Sequence, residues 1–138
     1  MPDAPPTPTS EEPAWASQRL VALRGATSVV ANEREAILSR TAELLGQIME
    51  RNALEISDCV SAIFTVTHDL DAEFPAVAAR QIGFNHVPLL CTQEIPVPGS
   101  LPMAVRIMLH AYAPAGHESR HVYLHEARAL RLDLEDPQ

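Results

Sequence analysis

The sequence predicts an α+β domain: a mixed β-sheet with helices packed on one face. Two observations carry this. Apolar residues recur at every second position in some segments and at helical spacing in others, and the two patterns follow one another as strand, helix, strand, helix and then three strands. Capping residues, prolines and glycines fall near the joins, where turns need them.

Residues 1–18 stand outside this pattern. Pro2, Pro5, Pro6, Pro8 and Pro13 lie among small polar residues with Glu11 and Glu12. Such a segment buries too little apolar surface to offset the entropy of ordering, so it reads as a disordered extension. Trp15 is its one aromatic residue. The folded domain is expected over 19–138. Residues 19–24 form a short apolar strand, with Gly25 expected to turn the chain. Residues 32–52 predict the clearest helix, with Asn32 as cap and Glu35 three positions on in a capping-box arrangement. Ile37, Thr41, Leu44, Leu45, Ile48 and Met49 define its buried face.

Residues 60–67 are β-branched and aromatic, a good strand. Asp71 is expected to cap a second helix running to Ile82, with Pro75 in the first turn, where its missing N–H is tolerated, and Gly83 at the end. Residues 86–97 read as a strand interrupted by Pro96. Over 103–112 the alternation is strict: Val105, Ile107, Leu109 and Ala111 share one face, and Arg106, Met108, His110 and Tyr112 share the other. Residues 120–124 form a last short strand.

Composition narrows the function. A net charge of −8 without a basic cluster argues against nucleic acid as a partner. No apolar run approaches the roughly 18–20 residues of a membrane span, and no basic segment followed by an apolar one opens the chain, so a cytoplasmic location is expected. Cys59 and Cys91 are far apart and suggest neither a disulfide framework nor a zinc site. All ten basic residues are Arg, which suits carboxylate recognition by guanidinium forks but equally fits a codon preference.

Familiar reactive motifs are missing: there is no glycine-rich phosphate loop, nucleophile elbow or Cys-x-x-Cys. His117, His121 and His125 are four apart, which would stack them on a helix. On the strand that this segment suggests, residues four apart are roughly 13 Å from one another, so no metal site is expected. Cys91 lacks the electropositive setting of a catalytic thiol and reads as a packed residue or pocket wall. Arg24, Arg106 and Glu94 are each readable as part of an internal ion pair or as a ligand contact. Arg106 is the odd charge on an apolar strand and needs a partner, a ligand or an opening to water.

Five blocks together resemble the monofunctional, AroH-type chorismate mutases: Leu23-Arg24-Gly25-Ala26-Thr27; Asp69 to Ala76 with Ala79-Arg80; Val87-Pro88 through Cys91-Thr92-Gln93-Glu94; Val105-Arg106-Ile107-Met108; and Arg120-His121-Val122-Tyr123-Leu124. They occur in the family's order and spacing over roughly residues 19–134. The resemblance implies a homotrimer whose sheets form a barrel-like centre, a pseudo-α/β-barrel, with active sites in clefts between neighbouring subunits. It implies rearrangement of chorismate to prephenate, in phenylalanine and tyrosine biosynthesis, with no metal or cofactor.

By the same resemblance, Arg106 meets the ether oxygen and a carboxylate, Arg24 binds a carboxylate, Glu94 accepts from the ring hydroxyl and Tyr123 donates to a carboxylate. Cys91 lies near the hydroxyl, Phe74, Ala76 and Leu130 form apolar walls, and Arg80 sits near the entrance. The segment after Leu130 is expected to close over the pocket. Val77 departs from the family, standing where relatives often carry Lys. Two other readings compete: a trimeric imine deaminase of the RidA-like type, whose motif blocks are not visible, and a non-enzymatic regulatory trimer that binds small acids on the same fold.

Overall fold

The computed structural model describes residues 17–135, with side chains through residue 130. Most of the expected N-terminal extension, Trp15 included, lies outside the described residues. Five strands and two α-helices follow in the order β1 (Gln18–Ser28), α1 (Arg34–Arg51), β2 (Cys59–Val66), α2 (Ala76–Gln81), β3 (Leu89–Gln93), β4 (Ala104–Pro114) and β5 (Val122–Tyr123). A short 3-10 turn, Ile56–Asp58, precedes β2, and a longer 3-10 segment, His125–Glu135, follows β5. No helix among the described residues is long and apolar enough to cross a membrane.

The sheet order is β3-β2-β4-β1-β5. The central strand β4 runs antiparallel to both β2 and β1, whereas β3 pairs parallel with β2 and β5 parallel with β1. The sheet is therefore mixed, as expected from the element order. Strict alternation along β4 separates its faces. Val105, Ile107, Leu109 and Ala111 are buried, while Arg106, Met108 and His110 are half-buried and Tyr112 is exposed.

The buried face meets the helices. Leu44, Leu45 and Ile48 of α1 pack in one cluster with Leu23, Ala62, Phe64, Ile107 and Leu109 of the sheet and with Ala76, Ala79 and Phe84 at α2. Burial of these large side chains contributes on the order of 2–3 kcal/mol each before conformational entropy is subtracted. Both helices thus cover the same face and leave the other open for a site.

Several local expectations give way to tertiary packing. Gly25 is not a turn; it lies inside β1, paired with Ile107. Its side faces α1, where an added Cβ would stand 2.6 Å from Ile48 Cδ1 and 3.0 Å from Leu44 Cδ1. The glycine serves close approach of helix to strand. Asn32 does not cap α1. The helix starts at Arg34 after Glu33, which makes no side-chain cap bond. Asn32 instead reaches across the molecule: its Oδ1 accepts from the N–H groups of Asp71 and Ala72, and its Nδ2 donates to the Asp71 carboxylate.

With Asp71 engaged there, α2 begins only at Ala76 with Pro75 at its cap position, and is shorter than expected. Gly83 ends that region at φ +114, as its placement suggested. The third strand stops at Gln93, ahead of Pro96, and the last shrinks to two residues. Behind it, Asn52 at the end of α1 holds the connection. Its Nδ2 donates to the carbonyls of Ile48 and Arg120, and its Oδ1 accepts from Arg120 N–H and meets His117 Nε2 at 3.0 Å.

Candidate active site

In an extended sheet, residues directly opposite on neighbouring strands share a face. The pairing of β5, β1, β4 and β2 puts Tyr123, Ala26, Arg106 and Thr65 in one row across four strands. The adjacent row of the same face holds Arg24, Met108 and Ile63. Gly25 and Ile107, between these rows, belong to the opposite face with the helices. Glu94, the first residue beyond β3, donates its N–H to Val66 O and so continues the edge of the sheet toward the same rows.

These residues line one cavity of about 170 Å³: Arg24, Ala26, Ile63, Thr65, Glu94, Arg106, Met108 and Tyr123. The four residues on which most weight falls from the sequence, Arg24, Glu94, Arg106 and Tyr123, therefore share one wall. Sequence reasoning missed Thr65, Ile63 and Met108. Thr65 becomes visible only when β2 is registered against β4, because no motif includes it.

The polar groups of the cleft are unevenly satisfied. Arg106 Nε lies 3.0 Å from Glu94 Oε1, but the angle misses hydrogen-bond geometry and leaves the buried Nε–H without an acceptor. The same Oε1 accepts a 2.5 Å hydrogen bond from the Thr65 hydroxyl. Tyr123 Oη is buried and has no hydrogen-bond partner among the described residues. Unsatisfied buried donors are rare in folded proteins, and two lining one cleft point to an absent acceptor. Among the described residues that line it, the cleft carries two guanidinium groups and one carboxylate, in a chain of net charge −8.

Arg24 is anchored through its backbone. Its N–H donates to His121 Nδ1 at 3.0 Å, so an imidazole side chain extends the short β1–β5 pairing by one bond. Burial, followed by the charge of Arg24, lowers the His121 pKa. The neutral ring that results keeps the lone pair this bond requires. The other two histidines serve different partners: His117 meets Asn52, and His125 Nε2 lies 2.7 Å from Glu43 Oε1.

A second group of expected site residues gathers elsewhere. Cys91 pairs with the buried Phe64 and packs on the helical face. Burial raises its thiol pKa, against the opposing effects of an Ala76 N–H and of Arg80. Phe74 and Cys91 line a cavity of about 330 Å³ together with Leu70 and Pro75. It shares no lining residue with the Arg106 cleft. Phe74, Ala76, Arg80 and Cys91 are thus neighbours around the β3 edge, with Phe74 67% exposed. Leu130 is half-buried in the 3-10 segment and lines neither cavity.

Known proteins of the same kind can now be set beside this geometry. The family model described as chorismate mutase type I matches residues 20–134. A chorismate mutase AroH of Thermus thermophilus is 47% identical over 84% of this chain and 97% of its own length. One of Bacillus subtilis (strain 168) is 40% identical over 81% of this chain and 90% of its own. A solved chorismate mutase from Clostridium thermocellum superposes with a TM-score of 0.73 at 43% identity, covering 79% of this chain and 98% of that one. The family match runs from β1 through the C-terminal 3-10 segment and so includes both residue groups. By sequence and by fold, the chain belongs to the type I chorismate mutase family.

Proposed function

We propose that this chain catalyses the rearrangement of chorismate to prephenate, with Arg24, Glu94, Arg106 and Tyr123 forming the chemical wall of the site. The observation that carries the assignment is the pair of buried, unsatisfied donors, Arg106 Nε and Tyr123 Oη, in a cleft that also holds Arg24 and Glu94. The substrate offers two carboxylates, a ring hydroxyl and an ether oxygen, which is the complement of that set.

The reaction is pericyclic: one C–O bond breaks as one C–C bond forms. Its chemistry calls for no nucleophile and no proton transfer. Rate then comes from holding a compact conformer and stabilising charge as it develops. The ether oxygen gains negative charge while its bond lengthens. A cation fixed on a rigid strand beside it helps the transition state more than the ground state. Arg106 suits this role: Glu94 meets it through Nε at 3.0 Å, and its place on the central strand puts the guanidinium in the cleft. Lys would lack the fork. Arg24 and Tyr123 would hold carboxylates, and Glu94 would accept from the ring hydroxyl.

A cavity of about 170 Å³ is smaller than the roughly 300–1,000 Å³ of typical ligand pockets. Phe74 and Cys91 line a separate cavity of the same chain. Both facts support a homotrimer in which a neighbour's Phe74–Cys91 group closes the Arg106 cleft. The raised thiol pKa suits Cys91 to a contact role as a neutral side chain. The reading is of a cytoplasmic enzyme.

The test is loss of chorismate's diene absorbance with purified protein in EDTA, beside Arg106→Ala. Turnover to prephenate is expected, with a drop of about 100–1,000-fold or more in the variant, the scale of losing one preorganised electrostatic donor. A folded Arg106→Ala protein with near-normal turnover would refute the assigned site. A folded wild-type trimer with no turnover would refute the activity.

A further inference from the structure

The Arg106–Glu94 pair has an unusual form. Arg and carboxylate side chains commonly meet fork to fork, with two parallel hydrogen bonds. Here one oxygen, Glu94 Oε1, approaches one nitrogen, Arg106 Nε, at 3.0 Å without hydrogen-bond geometry. The two groups are close enough to collapse into the bidentate form, in which Glu94 would occupy the donors a dianionic ligand needs.

Thr65 stands between these states. It lies directly across the β2–β4 ladder from Arg106 and gives its hydroxyl to Glu94 Oε1 at 2.5 Å. A threonine hydroxyl has a single proton to donate. The second carboxylate oxygen, Oε2, accepts no hydrogen bond from the described residues.

We propose that Thr65 is a positioning residue that pins Glu94 Oε1, blocks the bidentate collapse onto Arg106, and leaves Oε2 facing the ligand's hydroxyl. This deepens the proposed function and rests on it. Thr65 acts through Glu94 and is not itself a group that contacts the reacting atoms. The sequence motifs include Arg106 and Glu94 but not Thr65, whose part follows from register alone.

The experiment compares Thr65→Val, Thr65→Ser and Thr65→Val/Glu94→Ala with wild type and Glu94→Ala. Valine is nearly isosteric and favours strands, so the fold should persist; thermal melts check this. Losing a hydrogen bond to a charged acceptor should lower kcat/KM about 10–100-fold. KM should rise as well, because collapsed Glu94 competes with the ligand for Arg106. Thr65→Ser should recover most of the loss. In the Glu94→Ala background, Thr65→Val should add little, because its target is gone.

Wild-type kinetics in Thr65→Val, or losses that add in the double variant, would overturn the role of Thr65. Failure of serine to restore activity would point to packing and overturn it as well. Absence of chorismate turnover in the wild type would instead bring down the underlying function, so the two failures are told apart.

Discussion

Gly25 offers the sharpest test of how α1 is seated on the sheet. Changing it to Ala would place a Cβ 2.6 Å from Ile48 Cδ1, 3.0 Å from Leu44 Cδ1 and 3.3 Å from Ile48 Cγ1. The chain would gain roughly 0.5–1 kcal/mol from a less flexible unfolded state. Overpacking a tight core costs about 1–3 kcal/mol. The overlap wins, because both Leu44 and Ile48 are fully buried and have little room to move. A net loss of about 1–2 kcal/mol follows, a fall of roughly 4–10 °C in Tm for a chain of this size.

The contacts also name the atom responsible. Ile48→Val removes Cδ1 and alone should cost about 0.5–1.5 kcal/mol. In the double variant that loss should coincide with relief of the clash, so the two effects should fall short of additivity by about 1 kcal/mol. Thermal and urea denaturation of all four proteins, at one fixed subunit concentration, gives the cycle. Additive losses would mean that the helix does not approach β1 at Gly25 as described, and the account of that glycine would fail.

Two other perturbations follow from single contacts. Because the folded state lowers the His121 pKa below 6.5, the unfolded chain binds the proton first as pH falls. Stability from this group is therefore full above about pH 6.5 and is lost as pH falls through the folded value. His121→Asn keeps an acceptor for Arg24 N–H without titrating, so its Tm should fall less than that of wild type between about pH 8 and about pH 5; equal slopes would refute this. Asn52→Ala would remove four polar contacts and strand buried partners, costing about 2–4 kcal/mol in urea titrations. A cost within ~0.5 kcal/mol would show that the connection before β5 is held by other means.

The strands of the sheet were legible because β4 alternates without a break, and the order of elements along the chain followed from the sequence of patterns; the order of strands within the sheet did not. The boundaries that failed have a common cause. Gly25, Asn32 and Asp71 carry strong local preferences for turns and caps, yet each is engaged by a partner distant in sequence: the first by α1, the other two by one another. A local rule cannot register such a partner. The 3-10 segment His125–Glu135 had no clear period to reveal it.

The site was legible in a different way. Composition and spacing left Arg24, Arg106 and Glu94 balanced between ion pairs and ligand contacts; only the five blocks together resolved the family. Thr65, outside any block, and the anchoring role of the His121 imidazole, inside one but with no part assigned to it, required the strand register. So did the division of the expected residues into two groups, because nothing along the chain tells which side of an edge strand a cysteine faces.

The alternation that buries Val105, Ile107 and Leu109 is the same one that sends Arg106 and Met108 to the open face. Core and site are therefore written in one parity. A single residue inserted into or deleted from the ladder before Arg106 would send that guanidinium under α1 and expose apolar side chains in its place. Changes of two residues would keep each side chain on its own face. The irregularity in β2 between Cys59 and Ser61 lies at the strand's start, ahead of Ile63 and Thr65, so the offset is absorbed before the site begins. Length variation in this fold is thus tolerable by twos within the central strands, or singly where a bulge can take it up.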